Sequence, residues 1–200
     1  MMDKKDRLLR RVNMYGCVTA AEAESMGVSR RYLYKLNAQG ILDRPAKGVF
    51  TGKDWHGGTE HSSIVEAVSQ VGECVVSLLS ALRVHGITTQ APHEVWLSIP
   101  RGRRKSRVQY PPVHYTTVSP GIYPYGIKEL RVGRFRFQVY SPARTVADCF
   151  RFRNQVGLDV AIEALRETWR SRKATMDEIA EAAEVCRVLK VMKPYMEATV

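Results

Sequence analysis

Apolar residues recur at helical spacing near the start of the chain, at Leu8, Leu9, Val12 and Tyr15. Basic residues fill most of the positions between them. Because a helix repeats every 3.6 residues, this pattern predicts an amphipathic helix from about Lys4 to Tyr15, which Gly16 ends.

Two more short helices follow. Thr19 is a good N-cap, and Glu22 stands at the capping-box position three residues later, so a helix over Ala20 to Met26 is expected. A tight turn at Gly27-Val28-Ser29 leads to a third helix, which Ser29 caps and Gly40 stops. Two short helices joined by a three-residue turn that contains Gly predict a helix-turn-helix.

The third helix divides into two faces, with Leu33, Leu36 and Tyr32 predicted to point inward. Beyond it, Ile41-Leu42 and Val49-Phe50 are expected to pair as a small hairpin. The tip of that hairpin, residues 44–48, is basic and would form the wing of a winged helix.

The middle of the chain alternates between helical and strand patterns. A Gly-rich break at residues 51–58 precedes a predicted helix from Thr59 with buried Ile64, Val65, Val68 and Val71. Strands are predicted at 73–77, 94–99 and 113–118, a helix at 78–85, and a hairpin from 127–131 to 134–140. These elements would form a small mixed α/β layer with one buried face and one basic face in water.

The last sixty residues read as helices. Ser141 is an N-cap followed by Pro142 at the first helical position, and Thr175 with Glu178 forms a second capping box. The predicted apolar stripes are Ala143, Val146, Ala147 and Phe150; then Leu158, Ala161, Ile162, Leu165 and Trp169; and then Ile179, Ala182, Cys186 and Leu189.

The predicted fold class is therefore α+β, with an N-terminal winged helix-turn-helix over residues 1–52 and a second domain over residues 59–200. That second domain would be mixed α/β over 59–140 and helical over 141–200. Three or four amphipathic helices at its end would cover the sheet or form a platform for a protein partner.

The charge of the chain points to a class of partner, because its 200 residues carry a formal net charge of +11. The excess of +5 in residues 1–52 and of +6 in residues 53–145 leaves residues 146–200 neutral. A folded basic protein favours an anionic partner, and nucleic acid is the commonest. Any anion-binding surface is then expected in the first three-quarters of the chain.

The outward side chains of the third helix and the wing are the candidate DNA contacts. In a helix-turn-helix the start of this helix enters the major groove, where arginine reads guanine while lysine and tyrosine hold phosphates. With the two caps, the candidate set is Thr19, Ser29, Arg30, Arg31, Tyr34, Lys35, Arg44 and Lys47. The alternative is a winged helix used for protein contacts, with its charges merely solvated.

A second basic segment, RGRRKSR at residues 101–107, has the densest charge in the chain. It is predicted to be a loop between strands, and it would contact phosphate or an acidic or RNA-bearing partner. A solvated loop is the equal alternative. The cations concerned are Arg101, Arg103, Arg104, Lys105 and Arg107.

No pattern typical of an enzyme or of a metal site is found. The five histidines fit no zinc spacing, and the four cysteines, Cys17, Cys74, Cys149 and Cys186, are far apart. A restriction-type nuclease would need lysine where Trp96 follows Glu94. We therefore expect no catalytic residue, no metal and no cofactor, and buried thiols in a reducing cytoplasm.

The order of these signals resembles the AbiEi antitoxins of bacterial type IV toxin–antitoxin systems. The resemblance lies in GCVTAAEAESMGVSRRYLYKLNAQGILDRPAKGVF, SLLSALRVHGI, HEVWLSIPRGRR and SPARTVADCF, and it covers nearly the whole chain. It implies a winged helix that binds inverted repeats in double-stranded promoter DNA and represses its own operon. It also implies a C-terminal domain that neutralises a cognate AbiEii-type, nucleotidyltransferase-like toxin, part of a phage-defence system.

Two hypotheses follow. The first is a non-catalytic, cytoplasmic antitoxin and autorepressor, which acts as a monomer on two repeats or as a preformed dimer. The second is a plain winged-helix regulator whose C-terminal domain senses a ligand or dimerises. An N-terminus without an apolar segment argues against secretion or membrane insertion in either case.

Overall fold

A computed structural model of the chain describes residues 3–15, 17–46, 48–53, 61–89, 92–108, 111–132 and 135–199. Several predicted features lie outside these residues: the helix stop at Gly16, the wing residue Lys47, the break at 54–58, the helix start at Thr59, and Gly133 and Arg134. The domain limits 1–52 and 59–200 stay a prediction.

The described residues form two compact units. The N-terminal unit contains residues up to Glu73, together with Ser106–Pro112 and Glu129–Phe137. The C-terminal unit contains Cys74–Lys105, Val113–Lys128 and the described residues from Gln138 onward.

The N-terminal unit contains a three-stranded antiparallel sheet and four helices among its described residues. Its elements are α1 (Lys4–Tyr15), β1 (Cys17–Thr19), α2 (Ala20–Ser25), α3 (Arg30–Ala38), β2 (Leu42–Ala46), β3 (Val49–Gly52) and α4 (Ser62–Val71). The strand order is β1-β3-β2. Helix-turn-helix and hairpin lie where the sequence predicts them, and β1 is an addition that the sequence analysis did not predict.

Local chemistry explains where these helices begin. The Thr19 hydroxyl accepts the Glu22 amide, and the Glu22 carboxylate accepts the Thr19 amide, which completes the predicted capping box. Ser29 caps α3 by accepting the Tyr32 amide at 3.3 Å. One buried cluster holds the unit together: Leu8, Val12, Val18, Ala23, Val28, Leu33, Leu36, Leu42 and Phe50.

The C-terminal unit is built on a mixed sheet and a group of helices. Its elements are β4 (Val75–Val76), α5 (Leu78–Val84), β5 (Val95–Pro100), β6 (Val113–Val118), α6 (Pro142–Arg151), α7 (Arg153–Val156), α8 (Leu158–Arg170), α9 (Met176–Val185) and α10 (Leu189–Glu197). The strands β7 (Ile127–Val132) and β8 (Phe135–Tyr140) belong to this unit only at residues 127–128 and 138–140. The sheet order is β6-β5-β4-β8-β7; β5 runs parallel to β6 and antiparallel to β4. The α+β fold class is confirmed.

Burial of this sheet corrects one prediction. The alternation at 94–99 predicts one buried and one wet face, but every residue from Val95 to Ile99 is buried. Ser98 can be buried because its hydroxyl forms a 2.8 Å hydrogen bond with the hydroxyl of Thr116 on the neighbouring strand. The expected alternation does hold in β8, where Phe135 and Phe137 are buried while Arg136 and Gln138 are exposed.

The helical tail is less amphipathic than predicted at two places. Every residue of α6 from Ala143 to Phe150 is buried, so this helix is enclosed on all sides. On α8, the predicted stripe residues Leu158 and Trp169 are exposed, and Ala164 and Thr168 are buried instead. The caps by Ser141 and Thr175 are confirmed.

A buried ion pair lies in the middle of α6. Nε of Arg144 donates to the Asp148 carboxylate at 2.8 Å, and both side chains have almost no exposed surface. Nη1 of Arg144 donates to the carbonyls of Ile122 and Tyr125. Gly126 has to be glycine here, because an added Cβ would lie 2.9 Å from Arg144 Cβ and its φ is +72°.

All four cysteines are buried thiols that form no disulfide. Burial raises the pKa of Cys17 to about 11 and that of Cys186 to about 12, and it also raises the pKa of Cys149. These thiols therefore stay protonated and unreactive while the fold is closed. Within the described part of the chain, no helix has the length and apolar character that crossing a membrane requires.

Candidate nucleic-acid interface

Helix α3 presents a basic face along its whole length. At 100° per residue, Arg30, Tyr34, Arg31 and Lys35 fall within an arc of about 140°. All four are exposed, and the opposite side of the helix buries Leu33 and Leu36 in the core. The hydrophobic contacts therefore fix which side of α3 faces away from the unit, and that side carries three cations.

The three cations differ in what holds them. Nε of Arg30 lies 2.9 Å from the Glu24 carboxylate on α2, although both side chains are about half exposed. Neither Arg31 nor Lys35 forms an ion pair with any side chain in the described ranges. Arg31 and Lys35 are thus ready for an external anion, whereas Arg30 must first leave Glu24.

Tyr34 joins the helix to the wing. Its ring meets Phe50 of β3 edge-on at 5.5 Å, and the Arg44 guanidinium of β2 lies 5.0 Å above the same ring. Tyr34 is still 44% exposed. Edge-to-face and cation–π geometries are both attractive, so the ring holds Arg44 beside α3.

The wing is a bulged hairpin. Pairing shifts register between Asp43 and Ala46, so Arg44 and Pro45 occupy a bulge on the edge strand β2, where Pro is tolerated. Ala46 pairs with Val49 at the end of the hairpin. Gly48 has a φ of +80°, as tight hairpin connections require. Lys47, a predicted contact, lies outside the described residues.

Hydrogen bonds fix the wing to the helices at both of its ends. The Asn37 side chain at the end of α3 donates to the Leu42 carbonyl at 2.9 Å, and the Ile41 amide donates to Leu36. At the other end, the Ala20 amide donates to the Gly48 carbonyl at 2.8 Å. The basic face and the wing therefore form one pre-organised surface.

The two capping residues of the candidate set have structural partners. The Thr19 hydroxyl both accepts the Glu22 amide and donates to the Glu22 carboxylate at 3.0 Å, so it is fully engaged. Ser29 is exposed, and its oxygen accepts the Tyr32 amide. Ser29 therefore keeps its own O–H to donate to a phosphate, and Thr19 does not.

Sequence reasoning missed Glu24 at this surface, and it predicted Glu22 only as part of the capping box. Glu22 bonds Arg11 at 2.6 Å. Burial alone would raise the pKa of Glu22, but the Thr19 amide and the Arg11 guanidinium together lower it. The six-residue separation of Glu24 from Arg30 crosses the helix-turn, so only the turn geometry could have revealed that pair.

The second basic segment follows β5. Arg101, Arg104, Lys105 and Arg107 are exposed, and Arg103 is half-buried. It has no regular secondary structure, as predicted, and begins with a turn in which the Arg103 amide donates to Pro100. Ser106 and Arg107 group with the N-terminal unit, whereas Arg101–Lys105 group with the C-terminal unit.

Comparison with known proteins identifies the first part of the chain. Residues 6–51 match the family described as transcriptional regulator, AbiEi antitoxin. That span contains the three helices and the hairpin that build the basic surface. The curated proteins contain no match to this chain. The resemblance seen in the sequence is thus confirmed over residues 6–51, which are similar to the AbiEi antitoxin family of transcriptional regulators.

Proposed function

We propose that this protein is an antitoxin and transcriptional autorepressor that binds inverted repeats in its own promoter through α3 and the wing. The observation that carries the proposal is the joined surface of Arg31, Lys35 and Arg44, which Tyr34 holds together. One helix would enter the major groove, and the wing would contact the flanking phosphates or the minor groove.

The sign and arrangement of charge support duplex DNA over a protein partner. Cations lie on both of the elements that contact DNA in winged helices, and the acidic Glu24 of α2 is paired with only one of them, Arg30. A protein-docking surface would have less need for two cations without an ion-pair partner in the described chain. Phosphate contacts would supply affinity, and Arg31 would supply base reading.

The first experiment is a binding titration with the DNA upstream of the protein's own operon and with a scrambled duplex, across a salt series. Tight and selective binding with a steep salt slope is expected. Equal, weak binding to both duplexes would contradict the repressor role.

Arg31 and Lys47 provide a matched pair of variants. Arg31→Ala should relax discrimination between the operator and a scrambled duplex if this side chain reads a base. Lys47→Ala should weaken both duplexes alike and reduce the salt slope by about 1 if it holds a phosphate. Equal losses on both duplexes for both variants would remove the base-reading role.

We further infer that the part of the chain beyond the matched span neutralises a cognate nucleotidyltransferase-like toxin. The balanced charge of residues 146–200 supports a role for this part other than DNA binding. The test is co-expression with the toxin encoded next to this gene. Full-length protein and full-length Arg31→Ala should both protect, whereas a chain without residues 59–200 should not. Full protection by the truncated chain would contradict this division of roles.

A further inference from the structure

An arginine-lined cleft lies within the C-terminal unit, remote in sequence from α3 and the wing. It has a volume of about 560 Å³ and is lined by Arg101, Ser119, Gly121, Ile122, Arg151, Val185 and Arg187. Three of the seven lining residues are arginines, and none is acidic. We propose that this cleft binds the phosphate groups of a small phosphorylated molecule, such as a nucleotide.

The cleft is assembled by four separate parts of the fold. Arg101 directly follows β5, and Ser119 directly follows β6. Arg151 is the last residue of α6, and Arg187 comes two residues after α9. Chance exposure of one charged helix would not bring together arginines from three different elements, so the convergence belongs to the fold.

The position in the sheet is one that ligands favour. Strands β5 and β6 run parallel, with Val95 opposite Val113 and Pro100 opposite Val118. Arg101 and Ser119 therefore lie at the carboxyl ends of two neighbouring parallel strands. In open sheets that contain parallel strands, this edge is where ligands bind.

Arg151 has an unfilled hydrogen-bonding requirement. Its Nη1 is shielded from water and has no acceptor within the described ranges. Its guanidinium lies 5.7 Å from the centre of the Phe152 ring. A shielded cationic N–H without an acceptor is costly, and a phosphate oxygen in the cleft would provide one.

Arg187, which also lines the cleft, has an unusual backbone conformation. Its φ is +58°, in the left-handed region, and its amide donates to the Glu184 carbonyl at 2.9 Å. Its side chain nevertheless remains exposed and lines the cleft. Arginine is well suited to phosphate because its planar fork donates two parallel hydrogen bonds.

The size of the cleft agrees with a small molecule. Sites for small molecules and cofactors usually have volumes of about 300–1,000 Å³. A nucleotide fits within this range, and its phosphates would meet Arg101, Arg151 and Arg187. Binding here would give the C-terminal unit a ligand-sensing capacity, whether or not it also neutralises a toxin.

The test is calorimetric titration of the full chain with pyrophosphate, ATP and adenosine, in the absence of DNA. Pyrophosphate and ATP should bind and raise the melting temperature, whereas adenosine should do neither. The double variant Arg101→Gln/Arg187→Gln should bind pyrophosphate at least about tenfold more weakly, because it loses two charge-assisted contacts.

Arg172 supplies the matched control. It is also an exposed arginine with a positive φ, of +55°, two residues after α8 of the same unit, but it does not line the cleft. Arg172→Gln should therefore leave pyrophosphate affinity unchanged. An equal loss in this control would mean that net charge alone attracts the anion, and it would overturn the proposal.

Two other outcomes would also overturn it. One is that the wild-type protein shows no binding heat with pyrophosphate or ATP at millimolar concentration. The other is a combined result: the wild type does not bind pyrophosphate, and Arg101→Gln/Arg187→Gln binds duplex DNA more weakly than the wild type. That result would make the cleft part of the DNA-binding surface. Because the titration contains no DNA and no toxin, its result is independent of the repressor and antitoxin roles.

Discussion

Helices α3 and α6 use arginine in opposite ways. Both begin at a serine N-cap and are nine or ten residues long. On α3, Arg31 points away from the core and has no ion-pair partner in the described residues. On α6, Arg144 is fully buried and bonds Asp148 and two backbone carbonyls. The same residue type is therefore available for recognition in one unit and forms buried hydrogen bonds within the core of the other.

The difference shows that a basic residue acquires its role from the apolar residues around it. Leu33 and Leu36 form one stripe on α3, so the remaining positions face water. In α6 the apolar residues and small residues surround the whole helix, so Arg144 has no route to solvent. Substitution should then affect binding in the first case and folding in the second.

The largest effect is expected for Arg144→Ala. Removing this guanidinium leaves Asp148 buried without its ion-pair partner, and such losses cost about 3–5 kcal/mol of folding free energy. Chemical denaturation of wild type and variant would measure the difference. Arg144→Met combined with Asp148→Leu removes both charges and should recover much of the stability. A loss below about 1 kcal/mol for Arg144→Ala would contradict the importance of the pair.

Arg31→Ala should leave stability unchanged and reduce operator affinity by about 1–3 kcal/mol. The reason is that Arg31 is exposed on α3 and has no partner within the described chain to lose. Fluorescence anisotropy with operator and scrambled duplexes would measure the affinities, and a melting curve would serve as the folding control. A large drop in melting temperature would mean that Arg31 behaves like Arg144, and the contrast between the helices would fail.

Tyr34→Ala should weaken DNA binding by about 0.5–1.5 kcal/mol, because the ring holds Arg44 and packs on Phe50. Tyr34→Phe keeps the ring and is the matched control. Affinity equal to wild type in Tyr34→Phe would assign the effect to positioning of the wing. Equal losses in both variants would assign it to a contact of the phenol oxygen with DNA.

Glu24→Gln should strengthen binding to all duplexes by a few tenths to about 1 kcal/mol, the usual range for an exposed ion pair. The substitution frees Arg30 from a carboxylate 2.9 Å away. The measurement is the same titration at low and high salt, where the gain should shrink as salt increases. An unchanged affinity at low salt would show that Arg30 does not approach DNA.

Acid should act on His85 of the C-terminal unit. Burial lowers the pKa of His85 below its ordinary 6.5, and its Nε2–H donates to the Tyr140 carbonyl at 2.7 Å. A lowered pKa means that the unfolded chain binds the proton more tightly, so stability is present above about pH 6.5 and is lost as the pH falls through the lower folded pKa.

His85→Gln keeps a donor in this position without a group that titrates there. The unfolding free energy of the wild type should therefore fall relative to that of His85→Gln as the pH is lowered from 7 towards 5. If the unfolding free energies of the two proteins changed with pH in the same way, His85 would not be the group that causes the loss of stability in acid.

Much of the N-terminal unit could be predicted because its signals are local. The caps at Thr19 and Ser29 and the stripe of Leu33 and Leu36 depend only on neighbours within one or two helical turns. Strand β1 could not be predicted in this way, since three residues show no period and Cys17 pairs with Thr51, far along the chain. The family match then agreed with the local prediction of the whole segment.

The C-terminal unit shows where local patterns fail. Val95 to Ile99 alternate in sequence, but they belong to an inner strand between β4 and β6, and all of them are buried. The Arg144–Asp148 spacing is typical of a solvent-exposed helical ion pair, and only the tertiary packing shows that it is internal. Exposure of Arg31 and Lys35 was predictable from the stripe of α3, whereas the Glu24–Arg30 pair was not.

The placement of the cysteines makes each unit separately observable. Cys17 is the one cysteine of the N-terminal unit, and Cys74, Cys149 and Cys186 belong to the C-terminal unit. A thiol reagent can modify them only when the surrounding structure opens. The rate at which each cysteine is modified can be measured by mass spectrometry of its peptide. These rates would therefore report how fast each of the two units opens in the unmutated protein. Adding operator DNA should slow modification at Cys17 first.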